Sequence, residues 1–139
     1  MNTQLFARVY GIVFLIIGIG GFIPGLTQPH QHPGLIVNGS SGMELGLFPV
    51  NVLHNAVHIL FGVWGLAAGA SLAAARLFAR GVAIIYALLT VLGVLPATNT
   101  AFGLVPIYGH DVWLHGLLAV VAAYFGFVHK EGKVVAAAA

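Results

Sequence analysis

The sequence predicts an all-α membrane protein, with four transmembrane helices arranged as two tandem helical hairpins about a pseudo-two-fold axis along the membrane normal. Three observations carry this. Of 139 residues, 60% are hydrophobic and 6% charged, against about 25% charged in soluble domains, so polar groups are too few to cover a water-facing surface. Four apolar stretches approach the roughly 20 residues that a helix needs to cross about 30 Å of hydrocarbon, and a helix bonds all its backbone groups within the segment. The second half of the chain also repeats the anchor residues of the first. One four-helix domain over 1–139 follows, with repeat units of about 4–72 and 75–130.

The first span runs from about Gln4 to Pro24. Arg8 precedes the apolar run, as in a signal peptide, but Ile23-Pro24-Gly25 follows in place of a small-residue cleavage site, so the run is read as a span. Gly11, Gly18 and Gly25 recur every seven residues and suggest a seam for close helix contact. An outer loop of about 26–45, rich in Gly, Pro, Ser and His, contains His30-Gln31-His32-Pro33. Two histidines so spaced suit a metal, although a plain polar loop is the default reading.

The second span runs from about Pro49 to Ala70. Asn51, His54, Asn55 and His58 share one helical face, which continues through Gly62, Gly65 and Gly69. The outer half of that face is polar and the inner half is glycine, so it is expected to point into the bundle.

The third span, about Ala75 to Leu95, closes at Pro96, 16 residues after Arg80, just as Pro24 lies 16 after Arg8. The fourth, about Asp111 to His129, presents Tyr108, Asp111 and His115, then Ala119, Ala122 and Gly126. Gly46-Leu47-Phe48-Pro49 parallels Gly103-Leu104-Val105-Pro106, and each motif's Pro lies 9 residues before a histidine, His58 or His115. The offset between halves falls from 72 to 57, so the first outer loop is 15 residues longer. Two units of like topology imply an axis along the membrane normal.

Four spans put Arg8, Arg76, Arg80, Lys130 and Lys133 on one side, and Glu44, Asp111, His30 and His32 on the other. The basic side is the expected cytoplasmic one, which places both termini there and the polar face near the extracytoplasmic side.

His54, His58, Asp111 and His115 form a three-histidine, one-carboxylate set suited to Zn, Cu, Ni or Fe, with Asn51, Asn55 and Tyr108 placed to orient the ligands. His58 and His115 also suit the axial pair of a haem between the glycine faces, and a chlorophyll-type tetrapyrrole would need one histidine. A second reading makes the polar groups interhelical hydrogen bonds, with Asp111 the cap of span four. The chain would then be a small accessory subunit of a larger membrane complex, or a homo-oligomer. A proton-linked or pH-sensing role is a third reading.

With no cysteine, disulfides, thiolate zinc sites and iron–sulfur clusters are excluded. There is no Walker loop, no dinucleotide fingerprint and no nucleophile with an adjacent base, so a non-enzymatic role is expected. A net charge of +2 gives no reason to expect nucleic acid; the expected partner is the lipid bilayer.

The run from Gly46 to His58, with its N-x-x-H-N-x-V-H core at Asn51, His54, Asn55, Val57 and His58, resembles a family of small bacterial membrane proteins catalogued as a domain of unknown function and found in actinobacteria and cyanobacteria. Gly62-Val63-Trp64-Gly65-Leu66, Gly103 to Pro106 and Asp111 to His115 are also similar to that family, over about Arg8 to Phe127. The resemblance implies a four-helix protein of a bacterial inner membrane and brings no activity. The long outer loop with His30 and His32 departs from the family pattern.

Overall fold

The computed structural model describes residues 1–131; Lys133, named above for orientation, lies outside the described residues. The helix α1 (Thr3–Gly20) opens on Asn2, whose side chain accepts from the Leu5 amide at 2.7 Å. The helix α2 (Val52–Ala68) opens on Asn51 and α3 (Leu72–Val94) on Ser71, each capped the same way, which satisfies amides that have no partner within the helix. Only residues 69–71 separate α2 from α3. The helix α3 stops where Leu95 turns extended before Pro96, the conformation favoured ahead of proline. The helix α4 (His110–Ala123) runs on into a π-helical turn, Tyr124–Val128.

The helices α1 and α3, and α4 with its π turn, are long and apolar enough to cross a membrane. The helix α2 has 17 residues, reaching about 25 Å. Large apolar side chains point outward from every helix, including Ile16, Leu60, Ile84 and Val120, while Phe6, Phe14, Phe78, Tyr86 and Phe125 pack inside with small alanines. That distribution suits lipid as the outer solvent.

The helix α1 packs chiefly on α2, and α3 on α4. In the first pair, glycine sets the approach. A Cβ on Gly11 would lie 2.7 Å from the Leu66 amide nitrogen, one on Gly62 2.9 Å from the Gly11 carbonyl oxygen, and one on Gly65 2.8 Å from the Ala7 carbonyl oxygen. A Cβ on Gly18 would lie 2.7 Å from the Asn55 carbonyl oxygen, and Gly69 faces the Arg8 side chain. Gly25 is the exception to the expected seam. It lies past the end of α1 at φ +98° with nothing within 4 Å, so it serves a turn.

Both pairs close at the same end with an arginine. Arg8 donates to the Gly69 carbonyl at 2.9 Å, and Arg80 Nε donates to the Gly126 carbonyl at 2.8 Å. Both acceptors belong to a C-terminal helix end, where cations are favoured. The arginines are 72 residues apart and the glycines 57, the two offsets of the sequence repeat.

The outer loop departs from the expected plain loop. It carries a three-stranded antiparallel sheet of order β1–β2–β3, with β1 Thr27–Pro29, β2 Gly42–Glu44 and β3 Phe48–Val50. Leu45 and Gly46 turn between β2 and β3 at positive φ, and β3 leads through Asn51 into α2. The hairpin therefore sits at the polar end of α2.

Candidate metal centre

One turn of helix separates His54 from His58 on α2, and α4 brings His115 to meet them. One ring nitrogen from each of the three lies within 4.8 Å of the other two. The rings are 2–5% exposed. Ring centroids are 4.7 Å apart for His54 and His58, and 6.1 Å for His54 and His115.

The backbone assigns the tautomers on α2. His54 Nδ1 lies 3.0 Å from the Pro49 carbonyl oxygen, and His58 Nδ1 lies 3.0 Å from the His54 carbonyl oxygen. A carbonyl only accepts, so each Nδ1 carries the proton and each Nε2 keeps its lone pair. Such a bond commonly orients a metal-binding histidine. His115 Nδ1 is buried without a hydrogen-bond partner among the described residues.

Asp111 sits in the first turn of α4, and Gly109, at φ +65°, takes the cap position, so the side chain is free of capping. Its Oδ2 lies 3.8 Å from His54 Nδ1 and has no hydrogen-bond partner among the described residues. Of the expected ligand set, the three histidines converge, while Asp111 stands outside that group, near the protonated Nδ1 edge of His54.

The flanking polar residues behave differently from expectation. Asn51 orients no imidazole. Its Oδ1 accepts from the His54 amide at 2.9 Å, and its Nδ2 donates to the carbonyls of Val37 and Leu104 at 2.9 and 2.7 Å. It therefore ties both outer segments to the start of α2. Asn55 is buried without a side-chain partner among the described residues, in the space left by Gly21 at the end of α1. Tyr108 serves His32, its hydroxyl 2.6 Å from Nδ1.

His32 Nε2 lies 2.9 Å from the Gly42 carbonyl oxygen, so that nitrogen donates and Nδ1 accepts from Tyr108. Both nitrogens are engaged, and His32 has no lone pair for the loop metal site its spacing allowed. Burial lowers its pKa, against the opposing pull of the Gly42 bond. Burial, and then the Asp111 carboxylate, raise that of the Tyr108 phenol.

Sequence reasoning missed Glu44. Its side chain is buried, and burial pushes its pKa up to about 7. It lines a cavity of about 80 Å³ together with Phe48, His54, His58 and Asp111. A second cavity, about 160 Å³, lies against His54, His58, His115, Tyr86 and Ile107. Both fall short of the roughly 300 Å³ at which small-molecule pockets begin. The glycine face expected to admit a macrocycle is filled by α1. The three histidines could hold an ion, and neither cavity as it stands has room for a macrocycle.

A family model described as Domain of unknown function (DUF4383) matches residues 4–128. No curated protein and no solved structure matches the chain.

Proposed function

Because the chain belongs to the DUF4383 family, whose description names no activity, we propose from the site itself that this is a non-enzymatic integral membrane protein that binds one divalent transition-metal ion at His54, His58 and His115. The observation that carries this reading is the convergence of three buried imidazoles, two with their Nδ1 protons already committed to carbonyls. Tetrahedral zinc with bonds of 2.0–2.1 Å sets its nitrogens about 3.4 Å apart, so from separations of up to 4.8 Å a contraction of at most about 1.4 Å would close the site. Asp111 stands beside His54 as the candidate fourth ligand.

The competing reading, interhelical hydrogen-bond glue in an accessory subunit, needs the imidazoles to bridge helices. His54 and His58 instead bond carbonyls of their own segment, and His115 Nδ1 bonds nothing among the described residues. An unsatisfied buried nitrogen is costly, and a bound ion gives these rings a purpose that glue does not.

In this reading all four helices cross the inner membrane of a bacterium as two hairpins about an axis along the membrane normal. The helix α2 crosses with the rest, its outward Leu60, Val63 and Leu66 meeting lipid. Arg8 and Arg80 mark the cytoplasmic end, with both termini there, and the metal lies toward the extracytoplasmic side.

The test is metal content by mass spectrometry on protein purified gently in detergent. Near-stoichiometric metal, lost in His58→Ala and His115→Ala while the helical circular dichroism persists, supports the site. Metal-free protein that also fails to take up added Zn²⁺ or Co²⁺ overturns it.

A further inference from the structure

The chain has three acidic side chains. Glu131 lies near the start of α1, accepting from the Thr3 amide. The other two, Glu44 from β2 and Asp111 from α4, line the same 80 Å³ cavity, whose wall includes His54 and His58. At about 30 Å³ per water, that space accepts a partly hydrated ion. The two carboxylates come from elements far apart in the chain, and Asp111 Oδ2 is buried without a hydrogen-bond partner among the described residues.

We propose that Glu44 and Asp111 form the loading port of the metal centre, through which a divalent cation reaches the three histidines from the outer face. This rests on the metal-binding reading above. Three neutral imidazoles leave the two positive charges of such an ion uncompensated in a low-dielectric bundle, where an unpaired charge is expensive. Two carboxylates at the cavity supply that compensation. They also give the incoming ion oxygen ligands to exchange for water before nitrogen takes over. Glu44 stands on the β2–β3 hairpin, next to the exposed Leu45 at its turn, and Asp111 stands 3.8 Å from His54. The proposed order of encounter is Glu44, Asp111, then imidazole. Two carboxylates at one cavity attract a divalent ion more strongly than a monovalent one.

Stopped-flow mixing of full-length, detergent-purified protein with Co²⁺ tests this, because the visible bands of cobalt report nitrogen ligation as it forms. Glu44→Gln is expected to slow the appearance of the bands at least tenfold and to weaken binding, while the spectrum at saturation stays that of the unaltered protein. Glu44→Asp is expected to restore much of the rate, which a folding defect would not allow. Loading of Glu44→Gln at the unaltered rate, with His115→Ala still abolishing the bands, overturns the port and leaves the metal centre standing. An unaltered protein that develops no bands overturns both.

Discussion

Phe14 of α1 stacks on Tyr86 of α3 with ring centroids 5.3 Å apart and planes 26° from parallel. The two residues are 72 apart, as the arginines are. Each also turns toward the histidine of its own half: Phe14 meets His58 at 5.7 Å and 66°, and Tyr86 meets His115 at 5.1 Å and 86°. The stack therefore fixes the walls against which both imidazoles rest.

Phe14→Ala removes one of those walls and opens a cavity at a residue that is 0% exposed. It is expected to cost about 3–5 kcal/mol and to weaken metal binding by loosening His58. Thermal unfolding in detergent checks the first, and Co²⁺ titration the second. Ile16→Ala, on the outward side of the same helix at 66% exposure, is the comparison and should change either quantity little.

Gly18→Ala brings a methyl group to 2.7 Å from the Asn55 carbonyl oxygen and 2.8 Å from the Ile59 amide nitrogen. Backbone cannot step aside as a side-chain end can. The helices α1 and α2 must part, at about 1–3 kcal/mol, with a lower unfolding midpoint. Gly25→Ala meets no atom within 4 Å and is strained only by its φ of +98°, so its cost should stay near 1–2 kcal/mol. A Gly18→Ala variant as stable as the unaltered protein would contradict the packing described.

Asn51 makes three hydrogen bonds from a fully buried side chain. Asn51→Ala removes the cap of α2 and leaves the Val37 and Leu104 carbonyls short of a donor, at about 2–4 kcal/mol in total. Asn51→Asp keeps the capping oxygen but replaces the donor with an acceptor facing two carbonyls. It should be no more stable than the alanine variant, and chemical denaturation of the pair decides this.

Glu44 gives stability a pH dependence. Burial raises its folded pKa to about 7 from the usual 4.5. Between those values the folded protein holds a proton that the unfolded chain has released, so this group's contribution is lost as pH rises toward and through 7. Metal-free protein is expected to melt at a lower temperature at pH 8 than at pH 5.5. Glu44→Gln, which has no proton to lose, should flatten that dependence, and a slope unchanged by the substitution would contradict the assignment.

The sequence made the helical parts legible because a few polar residues on an apolar background reveal the 3.6-residue period. The steps from Asn51 to His58 placed both α2 histidines on one inward face, and the repeat placed His115 with them. The sheet was not legible. Its strands are three residues long, two of them holding Pro29 and Pro49, too short for alternation to appear. For that reason Glu44 read as an outer loop charge, although a folded hairpin brings it to the cavity beneath. Its rarity, one of three acids in the chain, was the available signal. Tyr108 and Asn55 were placed on the correct helix ends, but hydrogen bonding to His32 in one case and the gap at Gly21 in the other cannot be read from spacing.

The arginine-to-carbonyl pairs at Arg8 and Arg80 mark two halves with matching frames, yet position 54 is histidine where its counterpart, position 111, is aspartate. Two identical halves assembled as a dimer would meet with the same residue at both places, since a two-fold operator copies every side chain. Whatever they held at the centre would be approached alike from either flank. Joining the halves in one polypeptide lifts that constraint. A single polypeptide lets one flank be acidic while the other is an imidazole, so direction at the centre is a property a symmetric dimer could not encode.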